Sequence, residues 1–310
     1  MSRWVVVGDG QWGRALARRL KATGNDVTLV GEAGSGTRKP KGIPLTRDLG
    51  AALSAVERIL VAVPISGLED LLRSAAPHLR GDHRLVTTCR GLTTHSHMRG
   101  IEAVRALTPV RQVAVVAGAA DAAALRKKAP VALVVGSPFE TWAQEIRDGL
   151  RSESLRVYTN PDLVGVELSN ILAAVMGVAL GAARHLTVGP AAEAMALTRA
   201  LAEMDRVVRE LGGRAGTAYG LAGLGVLSEL LFAGDGIPLR AGIDLAKGDI
   251  EAAAAHRELR QAARTLAARA ATQRLRAPLL EMVEGMFAGR VTAQTALGEL
   301  MTRAARPEGD

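Results

Sequence analysis

The first half of the chain alternates short apolar runs with helical patterns. Residues 4–7, 26–30, 58–63, 84–88, 112–117, 131–135 and 155–158 are apolar without a polar–apolar alternation. Strands of that kind are covered on both faces, as in a parallel sheet clothed by helices. Between them lie helical periods such as 67–76 and 139–150. After residue 160 the strand pattern stops, and helical periods follow at 163–185, 191–211, 220–232, 249–271 and 278–287, with a last one from about residue 292. The pattern predicts an α/β protein: a Rossmann-type doubly wound parallel sheet over residues 1–158, then an all-helical C-terminal domain over 159–310. In such an architecture a ligand lies at the carboxyl ends of the strands, and a substrate in the cleft between domains. Residues 31–44, GEAGSGTRKPKGIP, break the rhythm and read as a loop in place of a crossover helix.

The apolar run at 4–7 leads directly into Gly8-Asp9-Gly10-Gln11-Trp12-Gly13 and a helix from about Gln11. This is a GxGxxG turn between strand and helix, the context that a dinucleotide-binding site requires. Gly8 permits the sharp turn, Gly10 lets backbone approach a pyrophosphate, and Gly13 lets helix and strand pack closely. The helix N-terminus at Gln11 and Trp12 offers amide donors and a partial positive charge to phosphate. Glu32 stands where a ribose-binding acid belongs, whereas Arg38, Lys39 and Lys41 suit a 2′-phosphate, so the residues leave NAD and NADP both open. Trp12 suits either a cover for the cofactor or packing between domains.

Composition narrows the class. The chain has 310 residues, enough for two domains, and is 48% hydrophobic but only 3% aromatic, so its cores are built from Ala, Leu and Val. Its one cysteine, Cys89, allows no internal disulfide and points to a reducing compartment, hence a cytoplasmic protein. There is no apolar signal run at the start, and the charge-free run 171–183 is too short and too rich in Gly and Ala to suggest a membrane span. A net charge of +8 raises nucleic acid as a partner, but the arginines are interleaved with acids and lack aromatic platforms. Attraction of an anionic cofactor or substrate is the better use of that charge.

Several other residues invite a chemical reading. His95 and His97 lie in a polar loop without further metal ligands at suitable spacing, so no metal is expected. Cys89 reads as a buried, inert thiol, and Arg257, Arg260 and Arg264 as a solvated helix face. Arg199 serves either an anion or an ion pair with Glu203 at helical spacing. Asn170 reaches a cleft only if its helix is displaced.

Longer motifs then bring a family into view. GDGQWGRALA (8–17), LVAVP (60–64), RGL (90–92), Gly118 with Pro130 twelve residues on, YTNPDLVGVEL (158–168), ALTRALAEM (196–204), YGLAGLGVL (219–227) and APLLEMVEGMFAG (277–289) occur in order. Together they resemble the NAD(P)-dependent glycerol-3-phosphate dehydrogenases over nearly the whole chain. The resemblance implies hydride transfer between a nicotinamide and dihydroxyacetone phosphate or a related small carbonyl compound, with a small phosphorylated substrate and a homodimer as expected partners. It implies cofactor contacts from Gly8, Gly10, Gln11, Trp12, Gly13, Glu32, Pro64, Ala122 and Glu258, and substrate contacts from Arg90, Gly118 and Arg240.

The same match places the family's catalytic polar residues on apolar ones. Its principal lysine falls on Ala173 and the neighbouring asparagine on Ala174; its aspartate falls on Val226 and its threonine on Leu230. Its phosphate fork falls on Gly236, Ile237 and Pro238, with Arg240 nearby as a substitute. No lysine occurs between Lys128 and Lys247. The catalytic residues are therefore unassigned from sequence. Two functions follow: an oxidoreductase with a rebuilt or impaired site, or a non-catalytic dinucleotide-binding relative acting as a sensor or partner subunit.

Overall fold

The computed structural model describes residues 2–31, 40–186 and 189–302. In chain order the elements are β1 (Arg3–Val7), α1 (Gln11–Ala22), β2 (Asp26–Val30), β3 (Leu45–Thr46), α2 (Leu49–Ser54), β4 (Arg58–Val61), α3 (Leu68–Ala75), β5 (Arg84–Thr87) and α4 (Gly100–Leu107). Then come β6 (Gln112–Ala117), α5 (Ala122–Lys127), β7 (Val131–Gly136), α6 (Glu140–Leu150) and β8 (Leu155–Asn160). The rest is helical: α7 (Leu163–Leu186), α8 (Pro190–Glu210), α9 (Val226–Ala233), α10 (Ile237–Ala246), α11 (Ile250–Ala254), α12 (Arg257–Thr272), α13 (Pro278–Phe287) and α14 (Ala293–Thr302). The chain divides into two compact units, Met1–Ile171 with Val208–Val226, and Leu172–Val207 with Leu227–Asp310.

The first unit carries an eight-stranded sheet in the order β3-β2-β1-β4-β5-β6-β7-β8. The expected doubly wound sheet is present. Every neighbouring pair is parallel except β6 and β7, which run antiparallel. The exception follows from α5. Its six residues span about 9 Å, too short to carry the chain back along a strand of about 20 Å. The chain therefore re-enters the sheet from the edge it has just left.

The absence of alternation in the strands is explained by two cores. Val5, Val7, Ile59, Val61, Val113 and Val115 point to one face, packed with residues of α2, α3 and α4. Trp4, Val6, Leu60, Val86, Ala114 and Val116 point to the other, packed with α1 and α6. There Trp4 and Trp142 stack with ring centroids 5.2 Å apart. Both strand faces are dry, so both must be apolar.

In the second unit, helices approach at glycines. A Cβ on Gly181 would lie 2.1 Å from the Leu239 carbonyl oxygen, and one on Gly242 would lie 2.0 Å from that of Val178. The helices α7 and α10 thus meet backbone to backbone. By length and composition α7 could cross a membrane, but its apolar window is mostly buried in the fold; a core helix has the same composition.

Three helical expectations are corrected. Residues 220–232 form a π-helical turn, Leu221–Gly225, before α9, because the backbone at Gly223 folds against the Ala218 carbonyl, 2.0 Å from where a Cβ would stand. Residues 249–271 form two helices, α11 and α12, with Ala255 and His256 between them. Residues 237–246, not foreseen as a helix, form α10, opened by Gly236 at φ 115° and by Pro238 in its first turn, where a missing N–H costs nothing.

Glu203 on α8 does not take Arg199 as its partner. Its buried carboxylate accepts hydrogen bonds from the amides of Leu279 (3.0 Å) and Leu280 (2.8 Å), capping α13. Burial outweighs these two bonds and raises its pKa from the ordinary 4.5 to about 7. The folded state therefore keeps this proton after the unfolded state has lost it, and stability falls as pH rises from about 4.5 to about 7. Thermal melts of wild type and E203Q across that range test this: the variant should lose that part of the slope.

Candidate active site

The glycine turn after β1 is built as tightly as its sequence demands. Gly8 has φ 112°, a conformation open chiefly to glycine, and its amide donates to the Val30 carbonyl (2.9 Å). A Cβ on Gly13 would lie 1.9 Å from the Gly8 carbonyl oxygen, so α1 and the turn touch with no space for a methyl group. Gly10 is different. It caps α1 with ordinary negative φ, and a Cβ there would meet nothing within 4 Å. The open space lies in front of a helix start that has no side-chain cap and no acid in its first turn. A pyrophosphate fits this cradle: among the described residues no side chain caps the helix start and no acid stands in its first turn, so the amides and the helix dipole are open to an anion.

Gln11 is exposed and accepts a bond from Arg126 (3.2 Å), linking the start of α1 to the end of α5. Trp12 is partly buried against the apolar face shared by Ala62, Ala120 and Leu125. Asp9 is buried, paired with Arg14 at 3.4 Å. A Cβ on residue 31 would lie 2.6 Å from the Asp9 carboxylate, which accounts for Gly31. Glu32, Arg38 and Lys39 lie outside the described residues; Lys41 is exposed.

The strand register gathers other sequence candidates on one edge of the sheet. Val7, Val61, Thr87 and Val115 stand opposite one another on β1, β4, β5 and β6. Pro64, Arg90 and Gly118 each follow three residues after their member of that row, at the carboxyl ends of the strands. Pro64 and Arg90 are exposed, and Gly118 has φ 129° against the backbone of β7. Asp121 caps α5, whose first residue, Ala122, is buried. Cys89 is buried, with its thiol donating to the Val63 carbonyl (3.1 Å). The histidine loop is tied down by Glu69, whose carboxylate accepts from the amides of His95 (2.9 Å) and Ser96 (3.3 Å). Among the described residues no three His, Cys, Asp or Glu side chains form a metal-binding group.

The positions assigned to proton transfer carry no such group. Ala173 is 0% and Val226 1% exposed, and Ala174 and Leu230 are also buried. Arg240 is exposed on the first turn of α10, not in a loop, and Glu258 is exposed on the first turn of α12. Earlier in α7, Glu167 is buried. It accepts from the Ile101 amide (2.9 Å) and pairs with Arg99 (3.1 Å). Burial still raises its pKa above the ordinary carboxylate range, against the pull of Arg99 and the Ile101 amide. Asn170, one turn on, is buried with an unpartnered Oδ1, and Ser169 beside it is buried with an unpartnered hydroxyl.

Comparison with known proteins agrees with this geometry over nearly the full length. Residues 4–143 match the N-terminal model, and residues 162–298 the C-terminal model, of NAD-dependent glycerol-3-phosphate dehydrogenase. A glycerol-3-phosphate dehydrogenase [NAD(P)+] of Methylibium petroleiphilum is 33% identical, over 99% of this chain and 98% of its own. The chain belongs to the NAD-dependent glycerol-3-phosphate dehydrogenase family. Another such dehydrogenase, from Acidithiobacillus ferrooxidans, is 31% identical over 99% of this chain and 95% of its own. The crystal structure of the Coxiella burnetii glycerol-3-phosphate dehydrogenase superposes with a TM-score of 0.85 at 26% identity, covering 97% of this chain and 99% of that one.

Sequence reasoning about this family member missed Glu167 and gave Asn170 a marginal place. Neither has a local signature. Glu167 sits in an apolar helix and is explained only by the start of α4, 66 residues away in sequence.

The glycines separate folding from binding. G13A should destabilise the protein by several kcal/mol, on the order of 2–4, because backbone must move. G10A should melt within about 2 °C of wild type, yet weaken NADH binding at least tenfold. Thermal melts and NADH titration check both.

Proposed function

We propose that this chain binds NAD or NADP and performs oxidoreductase chemistry of the glycerol-3-phosphate dehydrogenase type, at a site whose proton-transfer apparatus has been rebuilt or impaired. The substrate class is dihydroxyacetone phosphate or a related small carbonyl compound. What carries the reading is the union of full-length similarity, 33% identity over 99% of the chain, with an open cradle at Gly10. In this reading residues 1–158 hold the dinucleotide, residues 159–310 serve the substrate and a homodimer, and Glu258 and Ala122 take part in cofactor contact.

NAD(P)H, when bound, supplies the hydride. Gly8, Gly10, Gln11, Trp12 and Gly13 hold its pyrophosphate end, and Pro64 shapes the strand end beside it. Arg90 supplies a fixed positive charge for a phosphate or a polarised carbonyl oxygen, and the Gly118 backbone lies on the same edge. Arg90 keeps its proton and so orients without donating. Ala173 and Val226 donate nothing. Loss of a positioned general acid lowers turnover by about 10²–10⁴-fold.

The full burial of Ala173 and Val226 favours a second reading, a dinucleotide-binding sensor or partner subunit without turnover. Purified protein with NADH or NADPH, each with and without dihydroxyacetone phosphate, distinguishes them. The first reading expects slow but measurable loss of absorbance that depends on the carbonyl compound. The second expects a cofactor-induced rise in melting temperature and no turnover. A protein that neither binds nor oxidises either cofactor would refute both. The double variant A173K/A174N should gain less than about tenfold, because Val226 and Gly236-Ile237-Pro238 still lack the polar groups that orient a proton donor.

A further inference from the structure

The side-chain oxygen of Asn170 is a buried acceptor without a hydrogen-bond partner. The residue is 3% exposed and its Oδ1 has no hydrogen-bond partner. Native proteins pair nearly all buried acceptors, and each exception calls for an explanation, a group bound in function among them. The sequence around Asn170 shows no need for an amide: Ile171, Leu172 and Ala173 beside it are buried and apolar. A leucine or alanine would satisfy that stretch of α7 without an orphaned oxygen.

Its position says what the partner is. Val166 and Glu167 lie four and three residues earlier in α7, so they share its helix face. Val166 packs where Gly136 and Val115 meet; a Cβ on Gly136 would lie 2.8 Å from Val166 and 3.1 Å from Val115. The Glu167 carboxylate binds the Ile101 amide beside Gly100, and a Cβ on Gly100 would lie 3.3 Å from Glu167 and 3.8 Å from Thr87. This face of α7 is therefore seated on the last residues of β5 and on β6, and Asn170 is one turn, about 4.5 Å, further along it. All of these residues belong to the first unit.

The sheet reverses direction of growth between β1 and β4. A dinucleotide lies across such a point, its pyrophosphate at the first glycine turn, with one nucleotide half over β1 and β2 and the other over β4 and β5. The loop that holds Glu32 follows β2, the adenosine side by the fingerprint geometry. The face of α7 that carries Asn170 rests on β5, β6 and β7, across the switch point from β2. Nicotinamide carries a carboxamide, one acceptor and two donors, and an asparagine carboxamide is its complement in either orientation of the group.

We propose that Asn170 is a binding residue for the nicotinamide end of NAD(P)H, its side-chain oxygen accepting a hydrogen bond from the nicotinamide carboxamide. The inference rests on the dinucleotide reading given above. It assigns Asn170 a side-chain acceptor for that carboxamide, whereas Pro64 and Gly118 have only backbone carbonyls to offer, already accepting from Gly67 and Ala120, and Arg90 offers only donors.

The test compares NADH with ADP-ribose, which keeps the adenosine and pyrophosphate but has no nicotinamide. Titration calorimetry on wild type and N170A should show NADH affinity weakened about three- to tenfold in the variant, the effect of one hydrogen bond. ADP-ribose affinity should be equal in the two proteins. The ligand-free variant should melt at the same temperature as wild type or higher, because an unsatisfied oxygen has been removed. N170S, which keeps a small polar side chain but withdraws the carboxamide, gives the same comparison if alanine disturbs the helix. Equal NADH affinity in wild type and variant would overturn the proposal, and so would an equal loss for NADH and ADP-ribose. Wild type that binds neither ligand would refute the dinucleotide reading itself, and this assignment with it.

Discussion

The contact between Gly13 and the Gly8 carbonyl is the constraint on which the rest is arranged. A methyl group on Gly13 would be 1.9 Å from that oxygen, so α1 can lie against the end of β1 only because Gly13 lacks a side chain; a Cβ on Gly8 would in turn meet the Ala62 carbonyl at 2.4 Å. That closeness has three consequences. It sets α1 over the sheet, where Leu16, Ala17 and Leu20 bury against Trp4 and Val6. It points the unpaired amides of the helix start past Gly10 into open space. It also puts the anion-attracting end of the helix at the carboxyl edge, where Pro64, Arg90 and Gly118 each follow three residues after the row of Val61, Thr87 and Val115. Packing and binding thus come from one piece of backbone geometry.

Elsewhere the fold is pinned by buried carboxylates that reach across sequence to helix starts. Asp162 accepts from the Gly165 amide within α7 and also from the Arg214 amide (2.7 Å) and the Thr217 hydroxyl (2.7 Å). Glu167 takes the Ile101 amide at the start of α4, and Glu203 the Leu279 and Leu280 amides at the start of α13. A helix N-terminus is a partial positive charge with unsatisfied donors, so a carboxylate there recovers part of what burial costs it. The raised pKa of Glu167 and of Glu203 shows that the recovery is incomplete. Removing such a pin would leave buried amides unsatisfied, at about 1–3 kcal/mol each. These acids hold helix starts and turns in place, and their motifs are among those that carry the family likeness.

The family likeness and the chemistry part company in α7. The helix is capped by Asp162, and Glu167 is held by the Ile101 amide and Arg99. One turn and two turns later stand Asn170, with a carboxamide that nothing internal satisfies, and Ala173, with a methyl group. A member of the glycerol-3-phosphate dehydrogenase family built this way retains means to hold a nucleotide while lacking a titratable donor at the position the motif would give it. Arg90 adds charge without proton exchange.

Much of this was legible beforehand. Apolar runs without alternation marked strands buried on both faces, and five residues at β2 and six at β6 were placed with their observed bounds. The glycine turn declared its own geometry, because only glycine tolerates that φ and that approach. By contrast, the antiparallel turn of β7 depended on the length of α5, the break into α11 and α12 had no Gly or Pro to announce it, and α10 starts at Gly236, Ile237 and Pro238, residues read only as a lost phosphate fork. The partner of Glu203 was not Arg199, four residues away, but amides 76 and 77 residues away. Sequence alone determined the alternation of strands and helices in the first half, the two-faced sheet and the glycine turn, since each is written in local apolar runs and residue types. Tertiary structure alone decided which acids are capped, which strand reverses and which buried amide stands without a partner, because desolvation and hydrogen bonding are settled by groups that meet only after the chain has folded.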